Sequence, residues 1–246
     1  MSILTVNIGN SRTAVGWFSR GKIRRSARTE TITPVILEAV ANDEVPDGIC
    51  IGSVVPQANR AWGRLIKSLF PRVPMLWVDH RLEFGMKLNL KRPDQAGQDR
   101  FADAVAGAEM CGTPCIVCDF GTASTFNLVL PRRGFVGGVI APGYGMWFDA
   151  LSEAAQLPRL KPRGIQLKTG RNTEEAIRLG ARWGYRGMIE EILRQLSKAC
   201  GRYTPAICAT GGHARRVLAD SGLKMARFPD LTLHGLARIY EMNADE

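Results

Sequence analysis

Residues 2–11 read SILTVNIGNS and residues 115–124 read CIVCDFGTAS. Each is an apolar run that ends in a residue of the Asn/Asp type, one further residue, a glycine and a small polar residue. Such a run predicts a buried strand, and the glycine after it a tight turn. Asn7 and Asp119 stand 112 positions apart in a chain of 246. The chain therefore reads as two copies of one strand-turn device in near halves, 1–112 and 113–246, with a boundary near Gly112.

Working outward from the first copy, Ala14 to Phe18 is expected to pair back as a hairpin. The run SRGKIRRSAR (19–28) then reads as a solvated hairpin or edge strand, because charge discourages edge pairing and no aromatics interleave to stack bases. Thr33 before Pro34 marks a helix start over 33–41. A buried strand from Gly48 to Val55, a helix from Ala58 to Phe70, a short strand at Met75–Val78 and a loop from Met86 to Gly97 follow. Asp99 to Met110 is Ala-rich and reads as helix. Beyond the second copy, a hairpin (124–130 and 134–140), helices from Met146, Thr173 and Gly187, and a third apolar strand at 206–209 complete the pattern. Within it, Met188, Ile189, Ile192, Leu193 and Leu196 form an apolar stripe suited to core or dimer packing. This alternation of strand and helix predicts an α/β fold.

Composition narrows the class. Hydrophobic residues are 45% and charged residues 23%, the balance of a globular chain rather than a disordered or fibrous one. No stretch approaches ~18 uninterrupted apolar residues, and the opening MSILTVNIGN lacks a basic leader region, so a soluble, cytoplasmic protein is expected. Six cysteines do not form paired CxxC motifs; Cys111, Cys115 and Cys118 are expected to be buried thiols rather than zinc ligands. The net charge of +10, with 25 Arg and 8 Lys, favours an acidic ligand. Nucleic acid would be supported by this charge alone and is not expected.

Glycine turns straight after buried strands present backbone N–H groups with no side chain in the way, which suits phosphate oxygens. Two of them plus the later TGG (210–212) suggest a nucleotide. A carboxylate beside such a turn is unfavourable unless a cation lies between, so Asp119 next to Gly121-Thr122 points to a metal ion. His80, His213 and His234 lie far apart in sequence, with no Ser or Cys arranged as a triad; His213 follows TGG and is a candidate neighbour of the adenine.

With these residues in place, the chain resembles the type III pantothenate kinases. The matching stretches are NIGNS (7–11), SVVP (53–56), GQDR (97–100), DFGTASTF (119–126), GGVIAPG (137–143), AAQLP (154–158), NTEEAIRLG (172–180), ATGG (209–212) and LTLHGL (231–236), in family order. The resemblance implies two related actin-like (ribonuclease H-like) domains with a nucleotide cleft between them, as in the sugar-kinase, heat-shock-ATPase and actin superfamily. It implies transfer of the ATP γ-phosphoryl group to pantothenate, the first step of coenzyme A synthesis. It further implies Mg²⁺ with ATP, a monovalent cation (K⁺ or NH₄⁺), and a homodimer.

Carried over by residue, the resemblance makes Asp99 the general base. Gly97, Gln98, Asp99, Arg100, Leu90 and Thr173 would hold the acceptor, Thr173 from across the dimer. Asn7, Ile8, Gly9, Asn10, Ser11, Arg12, Thr13, Ala14, Thr122, Gly211 and Gly212 would hold ATP, and Asp119 the monovalent cation. Three positions depart from the family pattern. Asn7 stands where the family has Asp and keeps the oxygen geometry without the charge; Leu90 replaces a Tyr; Gln98 replaces a small residue. An ATP-binding or regulatory relative with impaired turnover is the alternative that these departures leave open.

Overall fold

Each apolar run folds as the middle strand of a five-stranded mixed sheet in the computed structural model, which describes residues 1–244. In the first sheet, β1 (Ser2–Ile8) pairs antiparallel with β2 (Thr13–Ser19) and parallel with β4 (Gly48–Ser53). The edges are β3 (Lys22–Thr29) and β5 (Met75–Trp77). Side chains alternate between the two faces of a strand. On one face Leu4, Val6 and Ile8 pack with Val15, Ile49 and Ile51 beneath α1 (Pro34–Ala41) and α2 (Pro56–Leu69), which contribute Leu37, Val40, Trp62 and Ile66. Thr33 caps α1, accepting from the Val35 N–H at 3.4 Å, with Pro34 in the first turn.

The other face of β1, carrying Ile3, Thr5 and Asn7, lies toward the last helix, α7 (Leu231–Asn243). Glycines make its bed. A Cβ on Gly48 would meet the Tyr240 ring at 2.0 Å, and one on Gly52 would meet Leu236 at 2.9 Å. Alongside runs α3 (Gln98–Cys111), buried at every residue from Phe101 to Gly107. The two helices touch backbone to backbone: a Cβ on Gly235 would strike the Ala102 carbonyl oxygen at 1.9 Å.

The charged run is the edge strand β3. Lys22, Arg24 and Arg28 are exposed, while half-buried Arg25 lies 5.0 Å over the Trp17 ring and pairs with Glu44 at 2.7 Å.

The second sheet repeats the first. β6 (Cys115–Phe120) pairs antiparallel with β7 (Ala123–Leu130) and parallel with β9 (Ala206–Thr210), and β8 (Gly134–Pro142) and β10 (Ala226–Arg227) form the edges. The order β3-β2-β1-β4-β5 recurs as β8-β7-β6-β9-β10. Asp119 is therefore the counterpart of Asn7. Asn7 stands opposite Ala14 and Gly52, and Asp119 opposite Thr125 and Thr210.

The helices of this half are α4 (Tyr144–Ala154), α5 (Thr173–Ala199) and α6 (Ala214–Ser221). A separate helix from Gly187 does not form: α5 runs through that residue as one helix of 27 residues. An interior glycine costs a helix about 1 kcal/mol. Here that is outweighed by the buried face of Ile177, Ala181, Tyr185 and Ile189, and Gly184 is where the Trp147 ring of α4 comes closest, 2.6 Å from an added Cβ. α6 and α7 carry no expectation from local pattern.

By contacts the chain forms two compact units. The first holds residues 1–110 and 131–136 together with the C-terminal stretch from Asp230; the second holds 111–130 and 137–229. All six cysteines are free thiols, five of them buried. Among the described residues no helix is long and apolar enough to cross a membrane, and no three His, Cys, Asp or Glu side chains gather as a metal cluster.

Candidate active site

In the first unit the carboxyl ends of β1 and β4 carry most of the predicted residues. Asn7 closes β1 on the α7 side, and its Oδ1 is shielded from solvent with no hydrogen-bond partner. Gly52, its parallel neighbour, carries no side chain on this face, where a Cβ would meet Leu236 at 2.9 Å and lie 3.7 Å from Gln98 Cβ. The first turn of α3 thus sits over the strand ends on the face that Asn7 occupies.

The turn after β1 is closed by the Gly9 N–H donating to the Arg12 carbonyl at 3.1 Å, and a Cβ on Gly9 would sit 3.0 Å from that oxygen. Asn10, Ser11 and Arg12 are exposed. Arg12 reaches Glu30 through Nε at 3.1 Å and Nη2 at 3.0 Å, which ties the turn to the end of β3. The Ile8 and Thr13 side chains are buried, so only their backbone faces the turn; the Ile8 carbonyl already accepts from the Val54 N–H at 3.0 Å.

Asp99 lies in the first turn of α3, and its Oδ1 accepts from the Arg100 N–H at 2.8 Å. Burial pushes the Asp99 carboxyl above the ordinary carboxylate range, against the opposing pull of the Arg100 N–H and guanidinium. Gly97 is required here by space, because a Cβ would lie 2.5 Å from Asp99 Oδ1 and 3.1 Å from Val54 Cγ1.

The Arg100 guanidinium lies 5.5 Å over the Phe135 ring. Burial lowers its pKa, while the Asp99 and Asp103 carboxylates raise it. Phe135 belongs to the segment 131–136, whose backbone is stitched to the stretch leading to Leu90. The Phe135 N–H donates to the Lys87 carbonyl at 2.9 Å, and the Asn89 N–H to the Phe135 carbonyl at 2.8 Å. Gly134 enters this ladder with φ +70°, and a Cβ on it would meet the Lys87 oxygen at 2.1 Å. Sequence reasoning missed Phe135 and Gly134, because nothing in PRRGFV (131–136) signals that a hairpin turn joins the other unit.

In the second unit, Asp119 ends β6 as Asn7 ends β1. Two glycines approach its carboxylate, and a third crowds the turn that follows. Gly211, at φ +94°, would place a Cβ 2.2 Å from Asp119 Oδ1, and Gly121 one at 3.9 Å. Gly143, the residue before α4, would place one 2.0 Å from the Thr122 carbonyl oxygen. The His213 N–H donates to the Phe120 carbonyl at 2.9 Å, which fixes the loop after Gly211-Gly212. Carboxylate and carbonyl oxygens are hard donors of the kind that cations take.

A cavity of about 470 Å³ lies beside this loop, lined by Pro162, Arg163, Gly164, Gly212, Arg215 and Arg216, with Ala219 and Asp220. Behind the Asp119 turn, Ser124 Oγ and the Tyr185 hydroxyl stand 2.5 Å apart, and burial pushes the Tyr185 phenol up to about 12. Thr173 is exposed at the start of α5. Its helix is capped by Asn172, whose Oδ1 accepts from the Glu175 N–H at 2.9 Å, while Glu175 Oε2 accepts from the Arg171 N–H at 2.8 Å.

Solved structures share this fold. A candidate Baf family transcriptional activator from Campylobacter jejuni superposes with a TM-score of 0.62 at 15% identity, covering 99% of this chain and 100% of that one. A ROK family protein from Streptococcus pneumoniae, in complex with sucrose, gives 0.53 at 13% identity over 98% of each chain. A candidate N-acetylmannosamine kinase from Listeria monocytogenes gives 0.50 at 12%, covering 98% of this chain and 99% of that one. At such identities these likenesses show the fold alone. The sequence speaks more closely: the family model for type III pantothenate kinase matches residues 3–195, which include both strand-turn devices, the GQDR helix start and the first part of α5. The chain belongs to the type III pantothenate kinases, ATP-dependent phosphotransferases acting on the hydroxyl of pantothenate.

Proposed function

We propose that Asp99 is the general base of this kinase and that Arg100 receives the pantothenate carboxylate. The observation that carries the reading is the single turn that holds both: Asp99 in the first turn of α3, raised by burial, with Gly97 leaving the space its carboxylate occupies. A base with a raised pKa is better matched to a hydroxyl proton at neutral pH than an ordinary carboxylate. Asp99 takes the proton of the acceptor hydroxyl, that oxygen forms a bond to the γ-phosphorus, and the bond to the β-phosphate oxygen breaks to release ADP. Positioning and charge neutralisation supply most of the rate.

The turn from Asn7 to Ala14, Thr122 and Gly211-Gly212 would hold ATP through backbone N–H groups, and the cavity by Gly212 suits a base and ribose. Mg²⁺ arriving with ATP neutralises phosphate charge and needs only one or two protein oxygens; the unpartnered Asn7 Oδ1 fits that need. Asp119, with its glycine cradle, would hold K⁺ or NH₄⁺. Gly97, Gln98, Leu90 and Phe135 would form the acceptor wall.

The same reading makes the active protein a homodimer in which Thr173 completes the partner's acceptor site. Its support is the exposed apolar surface of the second unit: Ile140 on β8 is 61% exposed, Met146 on α4 45% and Trp183 on α5 51%. The cation assignment is tested by ADP release with pantothenate in K⁺, NH₄⁺ or Na⁺ buffers. K⁺ or NH₄⁺ should activate the parent, and Asp119→Asn should abolish the difference. Equal rates in Na⁺ and K⁺ would remove the cation from the account.

A further inference from the structure

Arg100 stands on a side-chain relay that begins in the C-terminal helix. Asp103, one turn along α3 from Arg100, is fully buried, and its Oδ1 accepts from the Thr232 hydroxyl at 2.7 Å. Thr232 is in the first turn of α7 and is itself buried, 8% exposed. Residues three apart on a helix are neighbours on its surface, and the Asp103 charge, after that of Asp99, holds the Arg100 pKa up against burial. The other side of Arg100 is the Phe135 face at 5.5 Å. A buried carboxylate is costly unless it is paired and hydrogen-bonded, so its presence inside this helix pair requires partners of this kind.

We propose that Asp103, oriented by Thr232, is a positioning residue that aims the Arg100 guanidinium at the acceptor's carboxylate, so that α7 sets the affinity for pantothenate. This rests on the reading of Arg100 given above. A guanidinium has five N–H donors in a rigid fork. A carboxylate behind it and an aromatic face against it remove its rotamer freedom while leaving donors for a second carboxylate. The helix contact itself is held by packing, through Gly235 on Ala102, and does not need the Thr232 hydroxyl. The hydroxyl therefore has a role that packing does not explain.

The test compares two acceptors, pantothenate and its primary-amide analogue, across Thr232→Val, Thr232→Ser, Asp103→Asn and Arg100→Ala in ADP-release kinetics. Thr232→Val keeps the side-chain shape and loses the donor. It should raise the pantothenate KM about 3- to 10-fold, the worth of one hydrogen bond, with kcat and the ATP KM unchanged. Thr232→Ser should restore the parent KM. Asp103→Asn should raise the pantothenate KM at least as much. Neither substitution should change the KM of the amide, which offers no carboxylate to Arg100.

Equal losses on both acceptors, or a fall in kcat with KM unchanged, would overturn the proposal in favour of a purely structural pair. If Arg100→Ala leaves the pantothenate KM unaltered, the reading of Arg100 itself fails. If Arg100→Ala raises it while Thr232→Val and Asp103→Asn do not, only the relay fails.

Discussion

On the proposed reading, Asn7, Gly97 and Asp99 are where the chemistry depends on single atoms. Asp99 carries a raised pKa, so its native state holds the proton more tightly than the unfolded chain does. Above that pKa the buried charge opposes folding in full; as pH falls below it the cost declines, and it is gone below the ordinary carboxylate pKa. Asp99→Asn should therefore raise the melting temperature at pH 7 while removing turnover, a pairing that thermal unfolding and kinetics check together. The acid limb of kcat in the parent should fall above the ordinary carboxylate range, as the base becomes protonated. Gly97→Ala forces Asp99 Oδ1 away from a Cβ only 2.5 Å off, and a displacement of about 1 Å costs on the order of 10²-fold in rate. Its kcat should fall by that much with ATP binding unchanged by calorimetry. Asn7→Asp restores a charge beside the phosphate turn and should tighten Mg²⁺-ATP binding by about tenfold, 1.4 kcal/mol. The places of Asp99, Arg100, Gly97 and Asn7, at a helix start and a strand end, were legible in the sequence because short motifs carry them. Phe135 and Asp103 were not, because their importance comes from packing between distant stretches.

At the scale of elements, β1 and β6 read clearly because an apolar run followed by a glycine turn has few other meanings. β4 followed from an apolar run ended by Pro56, and β9 from an apolar run that leads into TGG. The long helix α5 was divided by expectation at Gly187, since glycine is a poor interior residue, and only its buried face and the contact of Gly184 with Trp147 explain its continuity. α7 was invisible as a helix, although LTLHGL marked its place: its burial is nearly all round, so no amphipathic stripe announces it. The α3–α7 contact yields a prediction of its own. Gly235→Ala puts a methyl 1.9 Å from the Ala102 carbonyl oxygen, and overpacking of this kind costs about 1–3 kcal/mol. Denaturant unfolding should report that loss, and the pantothenate KM should rise with it because Asp103 and Thr232 are pushed apart.

For the whole molecule, the repeated strand order shows a β-β-β-α-β-α-β-α plan that recurs in the second half with two helices, α4 and α5, before β9. The sequence showed the duplication through NIGNS and DFGTA, but gave no sign that residues 131–136 and α7 join the first unit. Those assignments depend on long-range burial, such as Tyr240 over Gly48, which no local pattern encodes. The homodimer is tested by complementation. Mixing Asp99→Asn with Thr173→Ala, each inactive alone, should restore about a quarter of the parental rate if Thr173 serves the partner's site in a two-fold dimer. Trp183→Glu should shift sedimentation to the monomer and remove activity.

We propose that this chain phosphorylates pantothenate with Asp99 as base. The most direct measurement is coupled ADP release from Mg²⁺-ATP in K⁺ buffer, with and without pantothenate, for the parent and Asp99→Asn. The account predicts pantothenate-dependent ADP release by the parent, lost in Asp99→Asn while ATP binding persists. ADP release that ignores pantothenate, or that survives in Asp99→Asn, would contradict it.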